Sequence, residues 1–355
     1  MKKNNLFLVA TGFLFFAAGC AKKHDAAVVA PKVTIGVYSL NQGNYGQNNT
    51  TITYYDFGTS TPTTDYFMNV NHFGLGDTGS DFVIYGGKIY IVMNNSGNVV
   101  VADALTMKFT DTIDFKNGGV NRGPENIVTY GKNVFVSSTD GTVAVIDTSA
   151  LSISKFIAVG SNPAQMAVSG TNLYVSNTGG FSAQFDSTVS VIDLGSLTEV
   201  AKITVGINPG SIAADNSGNI YVACTGDYNT VGPKMVKVNT AAGSVTNSAD
   251  TAAGIVRYYN GNLYVTGGYL GLPAVRALST TDFSAIKSNF ISDGTVVTTP
   301  YSLDIDKVNG DVYVSDAKDY VSSGEVFCFD KTGAKKFSFS TSPTASPIGV
   351  QLIQQ

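Results

Sequence analysis

The chain has 355 residues, a formal net charge of -4, 14% charged residues, three Cys, two His and no Trp. That acidic balance excludes the basic patches that nucleic acid selects. Two His leave too few imidazoles for a His-cluster metal site or a His-based nucleophile dyad, so no metal or cofactor is expected.

At the N-terminus, Lys2 and Lys3 precede "LFLVATGFLFFAA", an apolar run too short to span a bilayer as a stable helix. A basic stretch followed by a short apolar core reads as a signal peptide over residues 1–19. Its ending, Ala17-Ala18-Gly19-Cys20, resembles the lipobox of bacterial lipoproteins, although Ala17 stands where Leu is commoner. The resemblance implies cleavage before Cys20 and lipid on its sulfur. Residues 20–32 then form the lipidated Cys and a tether, and the membrane is held by that anchor alone. Removing residues 1–19 takes away two lysines and no acid, which leaves 20 basic against 26 acidic residues, or -6.

From residue 33 on, short alternating runs rich in Val, Ile, Thr, Tyr and Phe recur between turn signals, which predicts all-β structure. One unit repeats: "GGKIYIVM", "GKNVFVSS", "GTNLYVSN", "SGNIYVAC", "NGNLYVTG" and "NGDVYVSD". Their aromatics, Tyr90, Phe135, Tyr174, Tyr221, Tyr264 and Tyr313, are spaced by 45, 39, 47, 43 and 49. A seventh copy, "TIGVYSLN" with Tyr38, lies 52 residues before Tyr90. Periods in the forties with four strands per unit predict propeller blades. Counting gives seven second strands and seven third strands but only six first strands ahead of a partner. The missing one is "SPIGVQLI", residues 346–353, at the opposite end of the chain. Residues 33–355 are therefore expected to form one seven-bladed β-propeller of four-stranded antiparallel blades. The C-terminal strand joins the N-terminal blade and closes the ring.

The repeat also accounts for most acids. Asp56, Asp103, Asp147, Asp193, Asn239, Ser279 and Asp330 each end a third strand, where they start turns rather than serve as catalytic or calcium ligands. The segment "DNSGN" at 215–219 lacks the distal Glu of a calcium loop and reads as a hairpin turn. Pro124, Pro163, Pro209, Pro300 and Pro347 open first strands. Cys224 and Cys328 fall in different blades and read as buried apolar residues.

Loop length separates the two ends of the ring. First-to-second turns are minimal, as in "YGGK" and "SGTN". The second-to-third connections "NQGNYGQNN", "TGGFSAQFDS", "TGDYNTVGPK", "GYLGLP" and "AKDYVSSG" are long. Two long interblade connections, "NVNHFGLGDTG" and "KNGGVNRGP", are expected at the same end. Function resides on extended loops held by a rigid scaffold, so this end is the candidate site. Its expected ligand contacts are Asn41, Asn44, Tyr45, His72, Phe73, Arg122, Asn177, Phe181, Phe185, Tyr228, Tyr269 and Tyr320, with Arg122 and Glu125 as the main charges. Rings and amides together suit a bulky neutral solute carrying many amides or hydroxyls. Paired carboxylates, a Ser/His pair and a ligand cluster are all missing, so a non-catalytic protein is expected.

"VGSNPAQMAVSGTNLYVSN" and "VGINPGSIAADNSGNIYVA" resemble the repeats of YVTN or YncE-like bacterial propellers. "LNQGNYGQNNTTITYYD" with "LGDTGSDFVIYGGKIYIVMNNSG" resembles, more narrowly, the BtuG-type group of anchored, corrinoid-binding surface propellers. This resemblance implies a binding protein on the bacterial outer membrane; the cell surface is expected over the periplasmic side, but "AKKHD" after Cys20 lacks the acidic run that favours surface export, so the leaflet stays open. It also implies a corrinoid such as cobalamin as ligand and a TonB-dependent transporter as partner. Two other readings stay open: an adhesive surface propeller that binds protein or glycan, and a lactonase-type propeller enzyme.

Overall fold

Alternating side chains leave a strand on opposite faces, so a blade whose faces are both apolar must be covered on both sides. The second and third strands here are of that kind. Lys88–Met93 and Asn98–Asp103, for example, are buried at almost every position. A computed structural model describes residues 33–180, 182–267, 271–342 and 346–355 and shows how they are covered. Seven four-stranded antiparallel sheets form a ring of blades, and seven separate apolar cores lie between successive blades. Tyr38, Tyr90, Phe135, Tyr174, Tyr221, Tyr264 and Tyr313 are all buried in these cores. The signal peptide, Cys20 and the tether lie outside the described residues.

The ring closes as the strand count requires. The second strand of blade one, Thr34–Asn41, pairs antiparallel with Pro347–Gln354, which becomes that blade's innermost strand. Val37, Tyr55 and Val350 then pack against Tyr313, Val326 and Phe339 of blade seven in the core that seals the seam.

The other inner strands are Gly79–Tyr85, Pro124–Tyr130, Pro163–Ser169, Pro209–Ala214, Val256–Tyr259 and Pro300–Ile305, in blades two to seven. Each is a sheet edge facing the axis, so its outward N–H groups need partners. Neighbouring blades supply several of them. Gln351 Oε1 accepts from Ile84 N–H at 3.3 Å, and Asp81 Oδ2 accepts from Ile127 N–H at 3.0 Å. Ser211 Oγ accepts from Val256 N–H at 3.0 Å and donates to Gln165 Oε1 at 2.7 Å. Ser137 Oγ donates to Ala164 O, Arg257 meets Asp304 Oδ1 at 3.5 Å, and Asp304 Oδ2 accepts from Val350 N–H at 3.2 Å. The network passes through all seven blades and back to the first.

The repeated acids cap turns. Side-chain oxygens of Asp56, Asp103, Asp147, Asp193, Asn239, Ser279 and Asp330 each accept from an N–H two to four residues on. Those N–H groups hold the Asp103, Asp147 and Asp193 carboxyls below the usual carboxylate range. Asp330 is lowered too, first by the Thr332 hydroxyl. Asp215 likewise accepts from Ser217 and Asn219 in a hairpin turn. Cys224 and Cys328 are buried free thiols.

Blade one departs from the repeat. Its outer strand is only Thr61–Thr63, and the chain then leaves the sheet to form the helix Tyr66–Asn71. Phe67 drives the helix into the core between blades one and two. Asn71 fastens it there by donating to Met107 O at 2.9 Å and accepting from Phe109 N–H at 2.8 Å.

Candidate functional site

Inner strands begin, and second strands end, at the same end of the ring: Pro124 pairs with Ser138, Pro300 with Asp316 and Pro347 with Asn41. The second-to-third connections therefore surround the mouth of the axial channel. They are tall on blades one, four, five and seven. On blades two and three, between Met93 and Asn98 and between Ser138 and Thr142, they are short.

Two of the tall loops share one device. Asp227 accepts from the N–H groups of Asn229 and Val231, and Asp319 accepts from those of Val321 and Ser322. Each Asp-led turn holds the next residue in the left-handed region, Tyr228 at φ 58° and Tyr320 at φ 63°. That region disfavours bulky side chains. The rings are presented to solvent, 74% and 54% exposed. Tyr228 meets Phe185 of the neighbouring blade edge to face at 5.8 Å, and Tyr320 meets Tyr301 at 5.5 Å and 82°. Tyr45 stands alone at 77% exposure. Its loop is tied down underneath: Asn44 N–H donates to Asn49 Oδ1, Gly46 N–H to Asp77 Oδ1, and Thr50 Oγ1 to Gln42 O. Gly43 takes φ 78° where an added Cβ would lie 2.7 Å from Asn49 Oδ1, so the tight fold of this loop needs glycine there.

Several expected contacts sit elsewhere. Asn41 and Asn177 are fully buried at matching strand ends and turn inward. Asn41 Nδ2 donates to Thr51 and Thr53 hydroxyls, and Asn177 Nδ2 to those of Thr188 and Ser190. They pin second strands to third strands. His72 caps the helix of blade one, and Phe73 packs against Phe67 and Phe109 on the outer rim, because the helix carries that segment away from the mouth. Arg122 points outward: its guanidinium pairs with Asp140 at 2.5 Å and lies 4.0 Å above the Phe156 ring. It lines a groove of about 400 Å³ between the outer strands of blades two and three, with Thr112, Lys116, Leu151 and Ile153. Asn44 is exposed at the mouth. Phe181 and Tyr269 lie outside the described residues.

The inner strands contribute the charges. Glu125 and Tyr301 occupy the same register, each following the proline that opens its inner strand. The corresponding residues of blades four, five and six are Ala164, Gly210 and Gly254. Around Gly210, nothing lies within 4 Å of where a Cβ would stand, so that side of the mouth has room. Glu125 Oε2 accepts from Asn94 Nδ2 at 2.7 Å. Burial, then the nearby Asp81 charge, pushes the Glu125 carboxyl up to about 7. Asp81 is pushed up to about 6 by burial, against the opposing N–H groups of Ile127 and Phe82 and the Arg257 charge. Both side chains are half-buried. Burial raises the Tyr301 phenol, and the neighbouring Tyr320 and Glu125 add to this. Among the described residues, no group of three or more His, Cys, Asp or Glu could hold a metal ion.

Tyr301, Asp81, Arg257 and Asp304 were not among the expected site residues. The proline before Tyr301 and Glu125 marks the register, but their convergence needs the closed ring.

The family described as a domain of unknown function, DUF5074, matches residues 35–123, from the second strand of blade one to the connection before blade three. No curated protein matches the sequence. Among solved structures, the chain is similar to a quinonprotein alcohol dehydrogenase-like protein from Bacteroides thetaiotaomicron, with TM-score 0.65 and 14% identity over 91% of this chain and 79% of that one. It is also similar to the computationally designed Ika8 protein, with TM-score 0.58 and 11% identity over 86% and 88%. Hydrazine synthase from Kuenenia stuttgartiensis gives TM-score 0.54 and 17% identity over 71% and 76%. At such identities the likeness is one of fold.

Proposed function

We propose that this propeller is a non-catalytic binding protein, held by lipid on Cys20 at the outer membrane, that captures a bulky amide- or hydroxyl-rich solute for a TonB-dependent transporter. One observation carries the reading: exposed rings on tall loops surround a channel mouth that has open space on one side. Tyr228 and Tyr320 are held in a backbone region that bulky residues avoid, and such strain is characteristic of binding loops. Rigid rings supply contact area with little ordering entropy to lose. A corrinoid is the specific ligand proposed, on the resemblance of residues 40–56 and 75–97 to corrinoid-binding propellers.

Calorimetry of the full chain in detergent against cobalamin and cobinamide tests the ligand. Saturable heat with either supports it, and no heat together with no co-elution of the visible chromophore removes the corrinoid. Cys20→Ser tests the anchor: the protein should leave the membrane fraction. If a lipid-linked chain instead co-purifies with a membrane protein or glycan and binds no small molecule, the adhesive reading replaces this one.

A further inference from the structure

Every third strand carries a core residue three positions before the residue that caps its turn. In six blades this is Thr53, Val100, Ala144, Ser190, Val236 or Phe327, and all six are buried. Val100, Ala144, Val236 and Phe327 each pack into the core shared with the preceding blade. In blade six the same position, in the strand Val275–Ser279, is Arg276. Leu278 leaves that strand on the same face and lies in the core between blades five and six. The repeat therefore puts a guanidinium where six other blades put an uncharged side chain.

Arg276 is only 9% exposed. Among the described residues its one hydrogen bond runs from Nη2 to Ala252 O, on the connection between blades five and six. Nε is buried and has no partner. No carboxylate pairs with it among the described residues. Residues 268–270 of its own blade's long connection are Gly, Tyr and Leu, so they carry no acid. Burial alone acts on the guanidinium, lowering it from its ordinary value, and no neighbouring charge offsets this. It stays protonated at neutral pH all the same.

A buried charge is costly unless an opposite charge meets it. Val100 and Val236 show that an apolar residue fits this register. Arg276 follows the first strand residue after a second-to-third connection, and Ala252 precedes an inner strand, so both lie at the mouth end of the ring. We infer that Arg276 anchors an oxyanion site at the mouth, between blades five and six, that takes a carboxylate or phosphate group through the guanidinium donors left without partners. Such a fork matches the two oxygens of either group. The site goes beyond the binding reading above and stands without it.

Calorimetry and thermal scanning of the full chain test the site, with inorganic phosphate or phenyl phosphate titrated against a chloride background of constant ionic strength. Phosphate should bind saturably and raise the melting temperature by about 5 °C at a hundredfold excess over its dissociation constant. Arg276→Met removes the charge and keeps an unbranched apolar stem, so binding should be lost and the melting temperature in chloride alone should be no lower than that of the wild type. Arg276→Lys keeps the charge without the fork and should bind about tenfold more weakly. Tighter binding of phenyl phosphate marks an oxyanion carried by a larger solute, and equal binding marks a free ion; both support the site. No saturable binding to the wild type overturns it. So does a rise in melting temperature that survives Arg276→Met, since that is the general effect of phosphate on folded proteins. If phosphate binds as described and no bulky solute does, the binding reading falls and the oxyanion site stands.

Discussion

Phe185 and Tyr228 meet edge to face, 5.8 Å between centroids, although they come from the loops of two different blades. Each ring limits the motion of the other, so the pair forms a firm platform on the side of the mouth where inner-strand residues are smallest. Tyr228→Asn should tolerate the left-handed backbone and remove the ring. Loss of the ring should weaken solute binding about tenfold. The melting temperature should move by no more than about 2 °C, because the ring buries little in the fold. Paired calorimetric titration and thermal scanning check this. A large drop in melting temperature would make the platform structural instead.

Asn177 should behave in the opposite way. It is buried, accepts from Gly160 N–H and donates to Thr188 and Ser190. Asn177→Ala leaves those hydroxyls short of a donor, a loss of about 2 kcal/mol that should lower the melting temperature by about 5 °C. Binding at the mouth should be unchanged once the protein is folded. Weaker binding with an unchanged melting temperature would return Asn177 to the site.

Stability should fall as pH rises from 5 to 8. Asp81 and Glu125 have folded-state values raised above those of an unfolded chain, to about 6 and about 7. The fold therefore prefers their protonated forms. Their contribution is fully present below the ordinary carboxylate range and is lost as pH passes through 6 and 7. The facing groups bear on this differently: Arg257 favours a charged Asp81, and Asp81 and Glu125 oppose each other's ionisation. The turn-capping Asp103, Asp147 and Asp193 are lowered and act only at more acid pH. Thermal scans of the wild type and of Asp81→Asn with Glu125→Gln should show a fall in the first and a flatter profile in the second. A wild-type profile that rises over this range contradicts the assignment.

Removal of residues 347–355 should abolish cooperative unfolding. That segment supplies the inner strand of blade one and Val350 of the seam core. Without it, Thr34–Asn41 becomes an exposed edge at an open ring. A truncated chain that stays soluble and unfolds in one sharp transition would show that closure is dispensable.

Much of this architecture can be read along the chain because it repeats. The aromatic of each second strand, the proline opening five inner strands and the Asp, Asn or Ser that starts each turn recur in phase, so counting them predicts seven blades and the seam. The helix Tyr66–Asn71 breaks that phase, and with it the position expected for His72 and Phe73. Asn41 and Asn177 look like loop amides because they adjoin long loops. Their inward turn becomes legible only when each is paired with the hydroxyls across the strand, Thr51 and Thr53 or Thr188 and Ser190. Glu125 and Tyr301 are 176 positions apart in sequence, and only the closed ring brings their registers to one mouth.

The most direct test of the binding reading is calorimetric titration of the full chain with cobinamide and cobalamin, run in parallel on Tyr228→Asn. Saturable heat in the wild type, weakened about tenfold in the variant at unchanged melting temperature, is the predicted result. No saturable heat with either corrinoid, or equal affinity in the variant, would contradict capture of a corrinoid at this mouth.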